Sequence, residues 1–208
     1  MGKWNQNEEA EHNIFELFNQ NSFVKVKQAF EIDKILFSFV ETDGSKKLTN
    51  NIDCYMSIPD AAMLAEKIMD GRVFKAIDAG KKKAAEQGKQ YADDIWQSTL
   101  GGVSEETAKA KNLRNDGKAI SRCFTIAPGS RKYAVITARQ RAGSTDERGL
   151  IVPDVNDKGI SIRVAVAGYD DLQKLAVMLR AAVNCYMQYS ISADMRLANE
   201  RRSARRAG

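Results

Sequence analysis

Apolar and polar residues alternate with period two from Phe23 to Phe30 and again from Ile35 to Thr42, and Leu48 to Ile58 reads as a further strand that alternates from Ile52 after an interruption at Asn50-Asn51. That period is the side-chain repeat of a half-buried strand. Asp43-Gly44, between the second and third stretches, predicts a tight hairpin. At Pro59 the period changes, and Ala61, Leu64, Ala65 and Ile68 fall on one helical stripe; proline suits a first helical turn. The second half repeats this order. Ile120–Ile126 and Lys132–Arg141 predict strands around an Ala127-Pro-Gly-Ser-Arg turn, and Gly149–Val152 predicts a short third strand after a loop from Gly143 to Gly149. Ile160–Val166 alternates as a fourth strand, and Leu172, Leu175, Ala176, Leu179, Ala182 and Val183 then line a helical face.

Leu64-Ala65-Glu-Lys-Ile68 can be laid on Leu175-Ala176-Val-Met-Leu179, which places Asp60 and Asp171 each four residues before the aligned leucine. A strand-to-helix step that recurs in this way suggests two copies of one unit. The expected fold is therefore α+β: two repeats of an antiparallel β-sheet followed by an α-helix, over residues 23–70 and 119–189 of a single domain, 23–189. Residues 71–118 are expected to be a helical connector. There Phe74, Ile77, Ala84, Tyr91 and Ile95 share a stripe opposite Lys81-Lys82-Lys83, Gly101-Gly102 ends the helix, and Ser104-Glu-Glu-Thr starts a short one. Residues 1–22 read as a polar, acidic N-terminal arm, with Ile14, Phe15, Leu17 and Phe18 able to make one short amphipathic turn. Residues 190–208 read as a basic tail, either disordered or extending a helix from Ser192.

Composition narrows the class. Of 208 residues, 43% are hydrophobic and 28% charged, which is typical of a soluble globular chain. Cys54, Cys123 and Cys185 are odd in number and widely spaced, and His12 is the single histidine. Free thiols in a reducing compartment, without metal or cofactor, are the expectation. No apolar run approaches the ~20 residues of a membrane span, and the N-terminal stretch lacks a hydrophobic signal core. A cytoplasmic protein is expected.

The formal net charge is +5, and its distribution is uneven. Residues 195–208 carry Arg196, Arg201, Arg202, Arg205 and Arg206 against Glu200. Residues 119–142 carry five cations and no acid, followed by an acidic stretch, 143–171. Alternation along the second strand of this block puts Tyr133, Val135, Thr137, Arg139 and Arg141 on one face. An aromatic ring, a hydroxyl and two guanidiniums in one row suit a single-stranded nucleic acid, because cations neutralise phosphates while rings stack with exposed bases. In the first block Lys25 and Lys27 share a face, Lys46 and Lys47 sit at a turn, and Tyr55 alternates with Cys54 and Met56. The candidate nucleic-acid-binding residues are thus Lys25, Lys27, Lys46, Lys47 and Tyr55, with Arg122, Arg131, Lys132, Tyr133, Arg139, Arg141 and Arg163 from the second block. Cations on the solvent side of a sheet are also ordinary, and strand aromatics mostly serve a core.

The two echoes Ile52–Ile68 and Ile160–Leu179, each after a β block, resemble the Whirly-type single-stranded DNA-binding fold and its wider group of transcriptional-coactivator-type proteins. The likeness covers roughly residues 23–70 and 119–189 and is one of element order. The plant Whirly signature Lys-Gly-Lys-Ala-Ala-Leu is absent, so no family residue is carried over. The resemblance implies two antiparallel sheets held by helices, a homo-oligomer, and single strands bound across the sheets with little sequence preference.

The expected function is sequence-tolerant single-stranded DNA binding in replication, recombination or mobile-element transfer. The alternatives are an RNA-binding module, or a structural or adaptor protein of a phage or plasmid assembly whose basic tail docks on an acidic partner. An enzyme is the weakest reading. No GxSxG, phosphate loop or HExxH is present; Asp170-Asp171 suit a helix start better than a catalytic pair.

Overall fold

The computed structural model describes residues 13–207, with side chains as far as Leu197. His12, Glu8, Glu9 and Glu11 lie outside the described residues, and Arg201, Arg202, Arg205 and Arg206 outside the described side chains.

The first half builds a four-stranded antiparallel sheet in chain order: β1 (Asn13–Phe18), β2 (Ser22–Ala29), β3 (Lys34–Thr42) and β4 (Leu48–Ser57). β1 falls in the stretch read as a polar arm or a helical turn. Its register sets Phe15 opposite Val26 and Leu17 opposite Val24, so these two side chains turn to the core face. The β3–β4 turn is longer than a tight Asp-Gly hairpin. Asp43 organises it, its carboxylate accepting from the Ser45 and Lys47 amides at 2.9 Å each, as an Asx turn does.

α1 (Ile58–Met69) follows β4 without a loop. Ser57 caps it: its Oγ accepts from the Asp60 amide at 3.2 Å and donates to the Asp60 carboxylate at 2.7 Å. Ala61, Leu64, Ala65 and Ile68 form its buried face, as the stripe predicts.

The second sheet has β7 (Ala119–Pro128) and β8 (Ala134–Thr145) at its centre and β10 (Ile160–Val166) on one edge, with β9 (Ile151–Pro153) pairing the far end of β8. The stretch 71–118 is only partly helical. α2 (Arg72–Glu86) is followed by β5 (Trp96–Gln97) and β6 (Gly101–Val103), which both pair with β7, and by α3 (Glu105–Ala110). Tyr91 and Ile95 therefore lie beyond the helix whose stripe they were expected to share. Gly80, a poor helix former, is required inside α2 because a Cβ there would sit 2.8 Å from Cγ of Pro128. The tail continues α4, which runs from Tyr169 to Ala207, about 58 Å at 1.5 Å per residue.

The two sheets face each other through one buried cluster. Phe124 of β7 meets Phe37 and Phe39 of β3 with ring centroids 4.7 and 5.5 Å apart, and burying each such ring stabilises by about 1.5–3 kcal/mol. Leu64 and Ile68 of α1 join Leu172, Leu175 and Leu179 of α4 in the same cluster. Two edge carbonyls of β10 are occupied from the first sheet, Arg163 accepting from Ser22 Oγ at 2.7 Å and Ala165 from Asn19 Nδ2 at 3.2 Å; this protects the edge from further pairing. Among the described residues, no helix is long and apolar enough to cross a membrane.

Candidate nucleic-acid interface

Because each sheet turns one face inward, its other face carries the alternate residues outward. On the first sheet the register aligns three outward rows: Phe18, Phe23, Val40 and Asn51; then Glu16, Lys25, Ser38 and Asp53; then Lys27, Leu36 and Tyr55. Phe18 is 56% and Tyr55 50% exposed. Phe18 and Phe23 lie 5.2 Å apart between centroids, and the Lys25 ammonium stands 5.8 Å from the Phe23 ring. Lys25 also approaches Glu16 at 3.6 Å, a half-exposed pair of modest worth. Asp53 accepts from Ser38 Oγ at 2.7 Å. Lys46 and Lys47 stand exposed at the β3–β4 turn. The result is a platform of three rings with Lys25 between them, in one row with the carboxylates of Glu16 and Asp53, and with Lys27, Lys46 and Lys47 beside them.

The outer face of the second sheet carries no ring on β7, β8 or β10, and beyond an aliphatic row of Ala127, Val135 and Ala165 it is mostly polar. Arg139, Arg141 and Arg163 lie on it with Cys123, Thr125 and Thr137, as the pairing of Cys123 with Arg139 and of Arg163 with Thr137 requires. Arg139 donates to the Asp94 carboxylate at 2.8 Å, so part of its charge is already matched. Burial pushes the Cys123 thiol above its ordinary value, with Arg139 and Arg141 pulling the other way. Thr125 and Thr137 are buried, so the hydroxyl expected in this row is not offered to solvent.

Two expected residues are placed elsewhere. Tyr133 precedes β8 and does not extend the arginine row. It packs half-buried against the core beside Phe74 of α2, with centroids 6.2 Å apart, and the Lys81 ammonium stands 4.8 Å from its ring. Burial raises its phenol pKa. Neighbours already hold the ring, so it is not a free stacking surface. Arg122 projects from the opposite side of β7 to Arg139 and Arg141, between the buried Ile120 and Phe124, and its Nε donates to Gln140 Oε1 at 2.7 Å. Arg131 and Lys132 lie exposed in the β7–β8 turn. The twelve residues thus separate into the first outer face with its turn, the second outer face, the β7–β8 turn, and Arg122, which lines one concavity with Asp53 and Tyr55 of β4.

Two rings were missed. Phe23 shares the alternation of Lys25 and Lys27 and could have been read with them. Phe18 could not be read until β1 was known to pair with β2.

No protein-family model matches the chain, and no curated protein matches it. Among solved structures, the plant transcriptional regulator PBF-2 is similar over 87% of this chain and 85% of its own, at 6% identity and a TM-score of 0.48. WHY1 from Arabidopsis thaliana is similar over 89% of this chain and 90% of its own, at 8% identity and a TM-score of 0.45.

Proposed function

We propose that this protein binds single-stranded DNA with little sequence preference, by phosphate neutralisation and base stacking and without chemistry on the strand. The observation that carries this reading is the outer face of the first sheet, where Phe18, Phe23 and Tyr55 stand among Lys25 and Lys27. Every base has a π-face, so rings on an open sheet accept any sequence. Ammoniums beside them gain from counterion release as phosphates dock. Arg139, Arg141 and Arg163 on the second outer face add phosphate contacts without stacking. The process we place it in is strand handling during replication, recombination or mobile-element transfer, where unpaired strands arise.

Fluorescence anisotropy with a labelled oligothymidylate, and with a duplex of equal length, tests this at 50 and 200 mM salt. Tighter binding of the single strand is expected, with affinity falling as salt rises. Equal affinity for duplex would remove the stacking component, and no binding at low salt would end the reading. Competition with RNA of the same sequence separates the two nucleic acids, because only RNA presents a 2′-hydroxyl.

A further inference from the structure

A concavity of about 580 Å³ lies between the C-terminal half of α2 and the β7–β8 turn. Four cations line it, Lys81 and Lys89 from the helix side and Arg131 and Lys132 from the turn, and its lining includes no acid. The Lys81 ammonium is set against the Tyr133 ring at 4.8 Å, a cation–π contact that favours a fixed position at the wall. Lys89 approaches Asp93 at 3.7 Å, and Asp93 is shared with Lys83 at 3.8 Å. Ala84, Ala85, Pro128 and Ala167 supply apolar wall.

The two glycines beside the cavity fit this construction. Gly80 lets α2 close onto Pro128. Gly129 lets the turn fold tightly, since a Cβ there would stand 2.5 Å from the Lys132 carbonyl oxygen. The close approach of Gly80 to the Pro128 ring sets the helix against the start of the turn, the tight fold at Gly129 shapes the turn itself, and the four cations come around one space. Gathering like charges costs energy that an anion would recover. The volume exceeds that of a lone phosphate and falls within the range of small-molecule sites.

We propose that this cavity binds the phosphate monoester of a nucleotide, with the cations on the phosphate and the alanine and proline wall against the nucleoside. The choice of a nucleotide rests on the nucleic-acid reading of the first sheet; the phosphate does not. A free mononucleotide and the 5′-phosphorylated end of a strand present the same group.

Amide chemical shifts of the full-length protein, titrated with thymidine 5′-monophosphate, thymidine, inorganic phosphate, and oligothymidylate with or without a 5′-phosphate, test the proposal. The nucleotide is expected to give saturable shifts at residues 81–89 and 129–132, and thymidine none. Lys81→Gln with Lys89→Gln is expected to weaken the nucleotide about tenfold, or 1.4 kcal/mol, while amides outside the cavity keep their positions. Shifts from the phosphorylated strand assign a strand end; shifts from the free nucleotide alone assign a soluble one. Either upholds the site. Silence from both phosphorylated ligands, thymidine acting as well as the nucleotide, inorganic phosphate binding as tightly as the nucleotide, or wild-type affinity in the double variant would overturn it. The mononucleotide titration needs no strand binding, so failure of the sheet to hold DNA is read separately.

Discussion

Tyr55 shows how much one side chain on an open sheet carries. It is half-exposed, and its cross-strand neighbour Leu36 is only partly buried. Removing the ring therefore opens no core cavity, and Tyr55→Ala should change stability by less than about 1 kcal/mol. Stacking is worth about 1–3 kcal/mol per base, so the same variant should weaken oligothymidylate binding roughly tenfold. Anisotropy and thermal unfolding on one sample distinguish this from a folding defect; unchanged affinity would remove Tyr55 from the platform. The cysteines offer a second contrast. Burial pushes the Cys54 thiol up to about 12, whereas Cys185 is exposed. Thiolate is the reactive form, so alkylation of the native protein at pH 8 should label Cys185 first and reach Cys54 only on unfolding, as peptide mass mapping would show.

Among the elements, those with several turns of their own period were legible and those specified by a neighbour were not. β2, β3, β7, β10, α1 and the start of α4 each show a sustained repeat of two or of 3.6. Ile14, Phe15, Leu17 and Phe18 form a cluster too short to choose between the two, and the open edge of β2 chooses for them. β5 and β6 have two and three residues, too few for any period; pairing with β7 defines them. Tyr133 departs from the alternation of β8 because the strand begins only at Ala134, and in the bend before it the ring packs beside Phe74 of α2. The loop before β10 adds a device that periodicity does not reveal. The Asp157 carboxylate accepts from the Ala142 amide, from the Gly159 amide at 3.3 Å and from Arg114 at 3.2 Å, and these hold its pKa below the usual carboxylate range, the Ala142 bond foremost. A depressed folded pKa contributes stability that is present above the unfolded value of about 3.9 and lost as pH falls through the folded one. The melting temperature should therefore drop on acidification below about pH 4, and Asp157→Asn should show a shallower drop. Parallel acid profiles of the two proteins would refute the assignment.

At the scale of the whole molecule, the decisive fact is that the sheets meet through their inner faces, so their outer faces look away from each other. A strand stacked on Phe18, Phe23 and Tyr55 does not reach Arg139, Arg141 and Arg163 without rounding an edge. The two faces also differ in kind. The first has rings and ammoniums; the second has guanidiniums and no ring on β7, β8 or β10, with Arg139 already tied to Asp94 at 2.8 Å. Counterion release weakens as salt rises, whereas stacking is far less sensitive to it. Phe18→Ala with Tyr55→Ala should then lower affinity by a similar factor at all salt concentrations, leaving the slope of log K against log salt intact. Arg141→Gln with Arg163→Gln should do the opposite. Affinity should fall at low salt and converge with wild type at high salt, and the slope should become shallower by about 0.7 for each phosphate contact removed from a single strand. Anisotropy titrations at four salt concentrations separate the two patterns. If both variants change the slope equally, the faces do not divide the work as their chemistry implies. If the arginine variant is silent throughout, the strand stays on the first sheet, and the second face is a solvated surface whose guanidiniums serve only local pairs such as Arg139 with Asp94.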